Sequence, residues 1–195
     1  MRKVILASAS PRRKALLEQA GITFEVVPAR TEEKTAETAP DRVVMALASM
    51  KAQEVFDKIS EHDDMTQCVV LGADTVVSCG GSILGKPKDA SDAKRSLEML
   101  SGKQHEVYTG VCMMGRDKSG HIFKKVFAES TQVTMRQLED SVIDWYIKTK
   151  EPMDKAGAYG IQGKGAVLVA SICGDYNNVV GLPLSSVWHC LYHLS

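Results

Sequence analysis

Apolar positions come in two rhythms. Val4-Ile5-Leu6-Ala7 is a continuous apolar run, the mark of a strand buried on both faces. Ser10-Pro11 follows, an N-cap residue with proline at the first helical position, and predicts a helix from Pro11 to about Ala20. Leu16, Leu17 and Ala20 supply its inward stripe, Gly21 stops it, and Thr23 to Pro28 reads as a second strand. Val43, Val44, Leu47, Ala48, Val55 and Phe56 then recur at helical spacing. They predict a helix from about Asp41 to Ile59, with Asp41 or Thr38 near its start.

Residues 68–73 form a second buried strand, which places Asp74 at its end. Thr75-Val-Val-Ser leads into Gly80-Gly81, a hairpin signal, because both glycines accept positive φ. Asp89 or Ser91 caps a helix that ends near Leu100, with Ser101-Gly102 as its stop. Val107 to Met114 and Ile122 to Met135 are strands joined by a loop over Arg116 to Gly120. Leu138 to Thr149 is a helix whose inward stripe is Leu138, Val142, Trp145 and Tyr146. Glu151 to Gly165 is a loop, Ala166 to Ile172 a strand and Pro183 to Leu194 a last helix. No internal repeat or long linker interrupts the series, so the expectation is one α/β domain over residues 1–195, a mixed sheet that is arranged in two lobes.

Composition narrows the class. The 195 residues are 44% apolar and 25% charged, which excludes disordered and collagen-like chains. Twenty-four basic residues balance 24 acidic ones, so no global field draws the chain to nucleic acid or to an anionic membrane. The distribution is uneven: Arg2, Lys3, Arg12, Arg13 and Lys14 precede any acid, whereas residues 54–64 hold five acids against Lys58. A local anion site near the N-terminus is the expectation. Five cysteines without Cys-x-x-Cys spacing read as reduced core residues of a cytoplasmic protein. The apolar start is too short for an export signal, and no run reaches transmembrane length.

The strongest chemical signal is Ser8-Ala9-Ser10-Pro11-Arg12-Arg13, which puts hydroxyls, the N–H groups of a helix start and two guanidinium groups at one turn. It matches neither phosphate-loop nor dinucleotide glycine spacing. Gly72-Ala73-Asp74-Thr75 places a carboxylate and a hydroxyl after a buried strand, where open α/β sheets keep their sites. Lys86-Pro87 follows across the hairpin, so its ammonium can return toward the same place. Glu32-Glu33 and Lys51 add carboxylates suited to Mg²⁺ and a cation suited to phosphate. His189 and His193, at i and i+4 on the last helix, lack a third ligand and read as surface or packing residues.

With these blocks the chain resembles the Maf family of nucleoside triphosphate pyrophosphatases, whose older name is septum-formation proteins. The likeness continues through Gly-Lys-Pro at 85–87, Leu-Ser-Gly at 100–102, Tyr108-Thr109-Gly110, residues 151–163 and Val180-Gly-Leu-Pro. It implies hydrolysis of a nucleoside triphosphate between its α and β phosphates with a divalent cation, Mg²⁺ or Mn²⁺. Asp74 matches the proton acceptor; Arg12, Thr75 and Gln162 match the positions of base choice. Ser8, Arg13, Glu33, Lys51 and Lys86 match other pocket positions, with Glu33 and Asp74 toward the metal, and Asp154 and Lys155 lie in the same long motif.

The Ala-Tyr-Gly-Ile-Gln-Gly form is similar to the branch acting on dTTP and UTP, with base-modified pyrimidine nucleotides as further substrates. The resemblance implies an elongated fold with a cleft between two lobes, like inosine triphosphate pyrophosphatases, and a homodimer. The family's older name implies the alternative, a nucleotide-binding regulator with a cell-division protein partner; a purine-specific relative acting on ITP or XTP is the third reading.

Overall fold

Gly72 sets the packing of the N-terminal half. A computed structural model describes residues 2–30, 32, 34–60 and 65–194. In it β1 (Lys3–Leu6) lies between β2 (Phe24–Val26) and β3 (Cys68–Cys79), parallel to both, with Val4 opposite Phe24 and Leu6 opposite Leu71. The helix α2 (Pro40–Ile59) crosses β3 at Gly72, where a Cβ would stand 2.3 Å from the Ala48 carbonyl oxygen and 2.8 Å from the Ala52 nitrogen. Only a glycine admits a helix backbone this close.

Two compact units make up the chain. The first comprises Met1–Asp74, Thr109–Glu129 and Gly181–Ser195. Its core joins Ile5, Ala7, Val70, Cys112 and Met114 from strands and their ends to Ala48, Ala52, Val55 and Phe56 of α2. Helix α1 (Pro11–Gln19) begins as expected, with Ser10 Oγ accepting from the Arg13 N–H and Pro11 in the first turn. Helix α2 starts differently: Ala39 is at its N-cap with no side-chain cap, and Pro40 rather than Asp41 or Thr38 opens it. Proline's fixed φ supplies the start that no side chain provides.

The second unit comprises Thr75–Tyr108 and Ser130–Val180. It holds β4 (Ser82–Leu84), α3 (Ala90–Leu100), α4 (Asp140–Lys148), β7 (Val169–Cys173) and the short α5 (Tyr176–Val180). Gly80 and Gly81, both at positive φ, make the expected hairpin, with Val77 opposite Leu84. Asp89 caps α3 by accepting from the Asp92 N–H at 2.8 Å. Leu97, Leu100, Val133, Tyr146, Tyr159 and Leu168 meet in its core.

Strands β5 (Gln104–Arg116) and β6 (Ile122–Met135) complete a seven-stranded sheet in the order β2-β1-β3-β5-β6-β7, with β4 paired to β3. Parallel pairs at one edge and the antiparallel β3–β4 and β6–β7 pairs make it the mixed α/β sheet that the pattern predicted. The last helix is α6 (Leu184–His193).

Several expectations change. Strand β3 does not end at residue 73 but runs on through Asp74 to Cys79, because Thr75-Val76-Val77 are strand formers and continue it without a break. Ala166 to Leu168 belong to a 3₁₀ turn over Gly163–Leu168, and the strand begins only at Val169. Trp145 is exposed, and Ile143 takes the buried place beside Tyr146. Cys173 is exposed as well, while Cys79 and Cys112 are core residues. The run of acids ends in residues 61, 63 and 64, which lie outside the described residues.

Replacing Gly72 with alanine should destabilise the fold by at least about 2 kcal/mol, since backbone atoms must give way, and chemical denaturation measures it. A second expectation concerns His105, which is 3% exposed, with Nε2 2.7 Å from the Tyr159 hydroxyl. Its Nδ1 has no partner among the described residues, and burial pushes its pKa down from 6.5 to about 4. Between those values the unfolded chain binds the extra proton, so stability falls as pH is lowered through the window. From pH 7 to pH 5 the loss assignable to this group is about 2 kcal/mol. Thermal melts of His105→Gln should therefore lose less between pH 7 and pH 5 than those of the wild type.

Candidate active site

Alternation along β3 puts Gly72 and Asp74 on one face, the face over which α2 passes. Lys51 is next to Ala52 on that helix, and its Nζ donates to Asp74 Oδ1 at 2.6 Å, with both side chains nearly closed to solvent. The close approach at Gly72 thus brings the cation to the carboxylate. The other carboxylate oxygen of Asp74 accepts no hydrogen bond from the described residues.

The turn after β1 is built around a buried arginine. Arg13 is only 8% exposed; its Nε donates to the Gly181 carbonyl at 2.9 Å and its Nη1 to Ser8 Oγ at 3.0 Å. Ser8 Oγ accepts a second bond from the Ser10 N–H at 3.3 Å. With both acceptor sites of that hydroxyl engaged, its own O–H is left to donate. Arg12 is half-buried on the same turn. Direct bonds thus join Ser8 with Arg13, and Lys51 with Asp74, in the first unit.

In the second unit Thr75 is half-buried on β3 and Lys86 is exposed two residues after β4. The Val77–Leu84 register sends the chain back along β3 toward Thr75 as it reaches Lys86, the direction expected from the hairpin. Asp154 and Lys155 are joined: Lys155 Nζ donates to Asp154 Oδ1 at 2.7 Å and to the Glu151 carbonyl at 2.6 Å. Gln162 is exposed at the start of the Gly163–Leu168 turn. Glu33, expected near the metal, lies outside the described residues.

Glu151 is the organising residue that motif reading missed. Its carboxylate accepts from the Tyr146 hydroxyl at 2.9 Å and from the N–H groups of Lys164 and Gly165 at 3.0 Å each. Burial alone would raise its pKa, but those N–H donors, the hydroxyl and the Lys155 ammonium hold it below the ordinary carboxylate value. Burial pushes the Tyr146 hydroxyl up, which keeps it a proton donor to Glu151. A glutamate opening a predicted loop carries no periodicity; it heads the matched block at 151–163, but its role there follows only from which N–H groups need acceptors.

Among the described residues, no three His, Cys, Asp or Glu side chains are grouped so as to hold a metal ion by themselves. Asp74 offers one hard oxygen donor. That suits Mg²⁺, which is commonly held by one or two carboxylates together with substrate phosphates and water.

A family model described as Maf-like protein matches residues 3–194. A dTTP/UTP pyrophosphatase of Agathobacter rectalis is 50% identical over 201 residues, covering 100% of this chain and 98% of that protein. One of Bacillus cytotoxicus is 53% identical over 186 residues, with 95% and 92% covered. Among solved structures, a HAM1 protein from Coxiella burnetii covers 99% of this chain and 100% of its own at 14% identity and a TM-score of 0.50, a likeness of fold.

Lys51→Met should destabilise the fold by about 3 kcal/mol, because it leaves the Asp74 carboxylate buried without its ammonium. Urea unfolding measures the loss.

Proposed function

The chain belongs to the Maf family, and from that premise we propose that it hydrolyses dTTP and UTP to the monophosphate and pyrophosphate. The observation that carries the chemistry is the buried Asp74 carboxylate, with one oxygen fixed by Lys51 and the other open. Water adds to phosphorus, the anhydride bond between the α and β phosphates breaks, and Asp74 receives the proton of the attacking water. Lys51 fixes the orientation of that carboxylate while its charge favours an anionic substrate.

The Ser8 hydroxyl, its lone pairs already occupied, donates to a phosphate oxygen, and Arg13 is held in place to keep it so. Arg12, Lys86, Lys155 and Asp154 belong to the same proposal as substrate contacts. Asp74 would hold a divalent cation, Mg²⁺ or Mn²⁺, together with Glu33; when bound, such an ion draws charge from the phosphate oxygens.

Thr75, Arg12 and Gln162 are assigned to the base. Gln162 suits uracil and thymine because one amide can donate to the base O4 and accept from its N3–H. Cytosine presents the reverse pattern, and because an amide can turn over, its rejection is incomplete. The proposal takes residues 1–195 as one functional domain, acting as a homodimer in the cytoplasm on small nucleotides rather than on nucleic acid or membrane. The balanced charge supports the substrate class, and no described helix is long and apolar enough to cross a membrane.

Turnover of UTP, dTTP, CTP, ATP, GTP and ITP with Mg²⁺ tests the reading, with pyrophosphate and orthophosphate separated. UMP and dTMP with pyrophosphate are the expected products. Asp74→Asn should lower kcat by about 10²–10⁴-fold while the protein remains folded. Near-normal turnover by that variant would remove Asp74 from the role, and orthophosphate as the only inorganic product would overturn the reaction.

A further inference from the structure

Gln162 occupies the position before the Gly163–Leu168 turn, where a side chain ordinarily accepts from the second or third N–H that follows. It caps nothing. Those two N–H groups, of Lys164 and Gly165, donate instead to Glu151 Oε2 and Oε1, across 13 and 14 residues. Glu151 Oε1 also accepts from the hydroxyl of Tyr146, a fully buried residue, and that oxygen accepts from the Gly160 N–H at 3.1 Å. The main chain closes tightly on the carboxylate: Gly163 has φ +63°, and a Cβ there would stand 2.8 Å from Glu151 Oε2.

We propose that Glu151 is the positioning residue for Gln162: by capping the 163–168 turn in its stead, it leaves the whole Gln162 amide to the pyrimidine base. The assignment rests on the dTTP/UTP reading and deepens it. An uncapped turn would recruit the nearest acceptor, the Gln162 side-chain carbonyl, and that is the group needed for the base N3–H. Glu151 prevents this competition while anchoring the backbone on both sides of Gln162, at Gly160 through Tyr146 and directly at Lys164 and Gly165. It acts through Gln162 rather than on the substrate.

The test is the ratio of kcat/KM for UTP to that for CTP, measured in wild type, Glu151→Gln, Gln162→Ala and the double variant. Glu151→Gln keeps the side chain's shape but turns an NH₂ group toward backbone N–H donors. The expected ratio falls about tenfold in Glu151→Gln, the size of one hydrogen bond's discrimination. It falls comparably in Gln162→Ala, and the double variant falls no further than Gln162→Ala alone. A folded Glu151→Gln that slows both substrates alike with the wild-type ratio overturns the proposal. So does a double variant whose loss is the product of the two single losses, which would make the residues independent.

Should Glu151→Gln not fold, Glu151→Asp keeps the charge but draws the carboxylate back by one methylene from the Lys164 and Gly165 N–H groups, and the same ratio decides in the same way. A wild type active on UTP and CTP without preference also overturns the assignment. A wild type inactive on every pyrimidine nucleotide fails the functional reading itself, and takes the assignment with it.

Discussion

The close crossing of α2 over Gly72 is the constraint from which the site in the first unit follows. With no Cβ in the way, the helix backbone reaches the strand, Ala48 and Ala52 pack as small residues, and Lys51 falls within 2.6 Å of Asp74. A larger residue at 72 would lift the helix and separate the charges. The core and the candidate chemistry are therefore set by the same contact, and the small side chains along this face serve both.

Elsewhere, charged and polar side chains hold irregular backbone in place. Arg13 has two hydrogen-bond donors committed to protein acceptors, so it is a strut as much as a cation. Glu151 does the corresponding work with opposite sign, collecting N–H groups from a stretch without regular pairing. In both cases a fixed charge takes the part that a strand or helix ladder plays for ordinary backbone, and leaves a neighbouring polar group, the Ser8 O–H or the Gln162 amide, uncommitted.

The elements that were legible in the sequence are those whose signals are local. Ser10-Pro11 marks the start of α1, Asp89 caps α3, and Gly80-Gly81 turns the hairpin. What escaped was decided by partners distant in sequence. Gly72 read only as one member of a buried strand, because nothing nearby reveals a helix crossing above it. The strand expected from Val107 begins at Gln104 instead, and His105 within that extension is sealed against Tyr159. Of the candidate site, the residue types and the turn at 8–13 were readable from spacing, whereas Glu151 required knowing which N–H groups lacked acceptors. Trp145 misled because a large aromatic at helical spacing suits either face of a helix until its neighbours are known.

The bond from Arg13 to the carbonyl of Gly181 spans 168 residues. During synthesis the turn at Ser8 to Arg13 is made well before residue 181, so the carbonyl that accepts from Arg13 Nε does not yet exist when Ser8 can already accept from Nη1. The first unit draws on three separate stretches of the chain, so its assembly must wait for the last of them. A nascent chain thus carries the Arg13 guanidinium without its Gly181 acceptor until that residue has been made, and only then is the Nε end of the strut fixed.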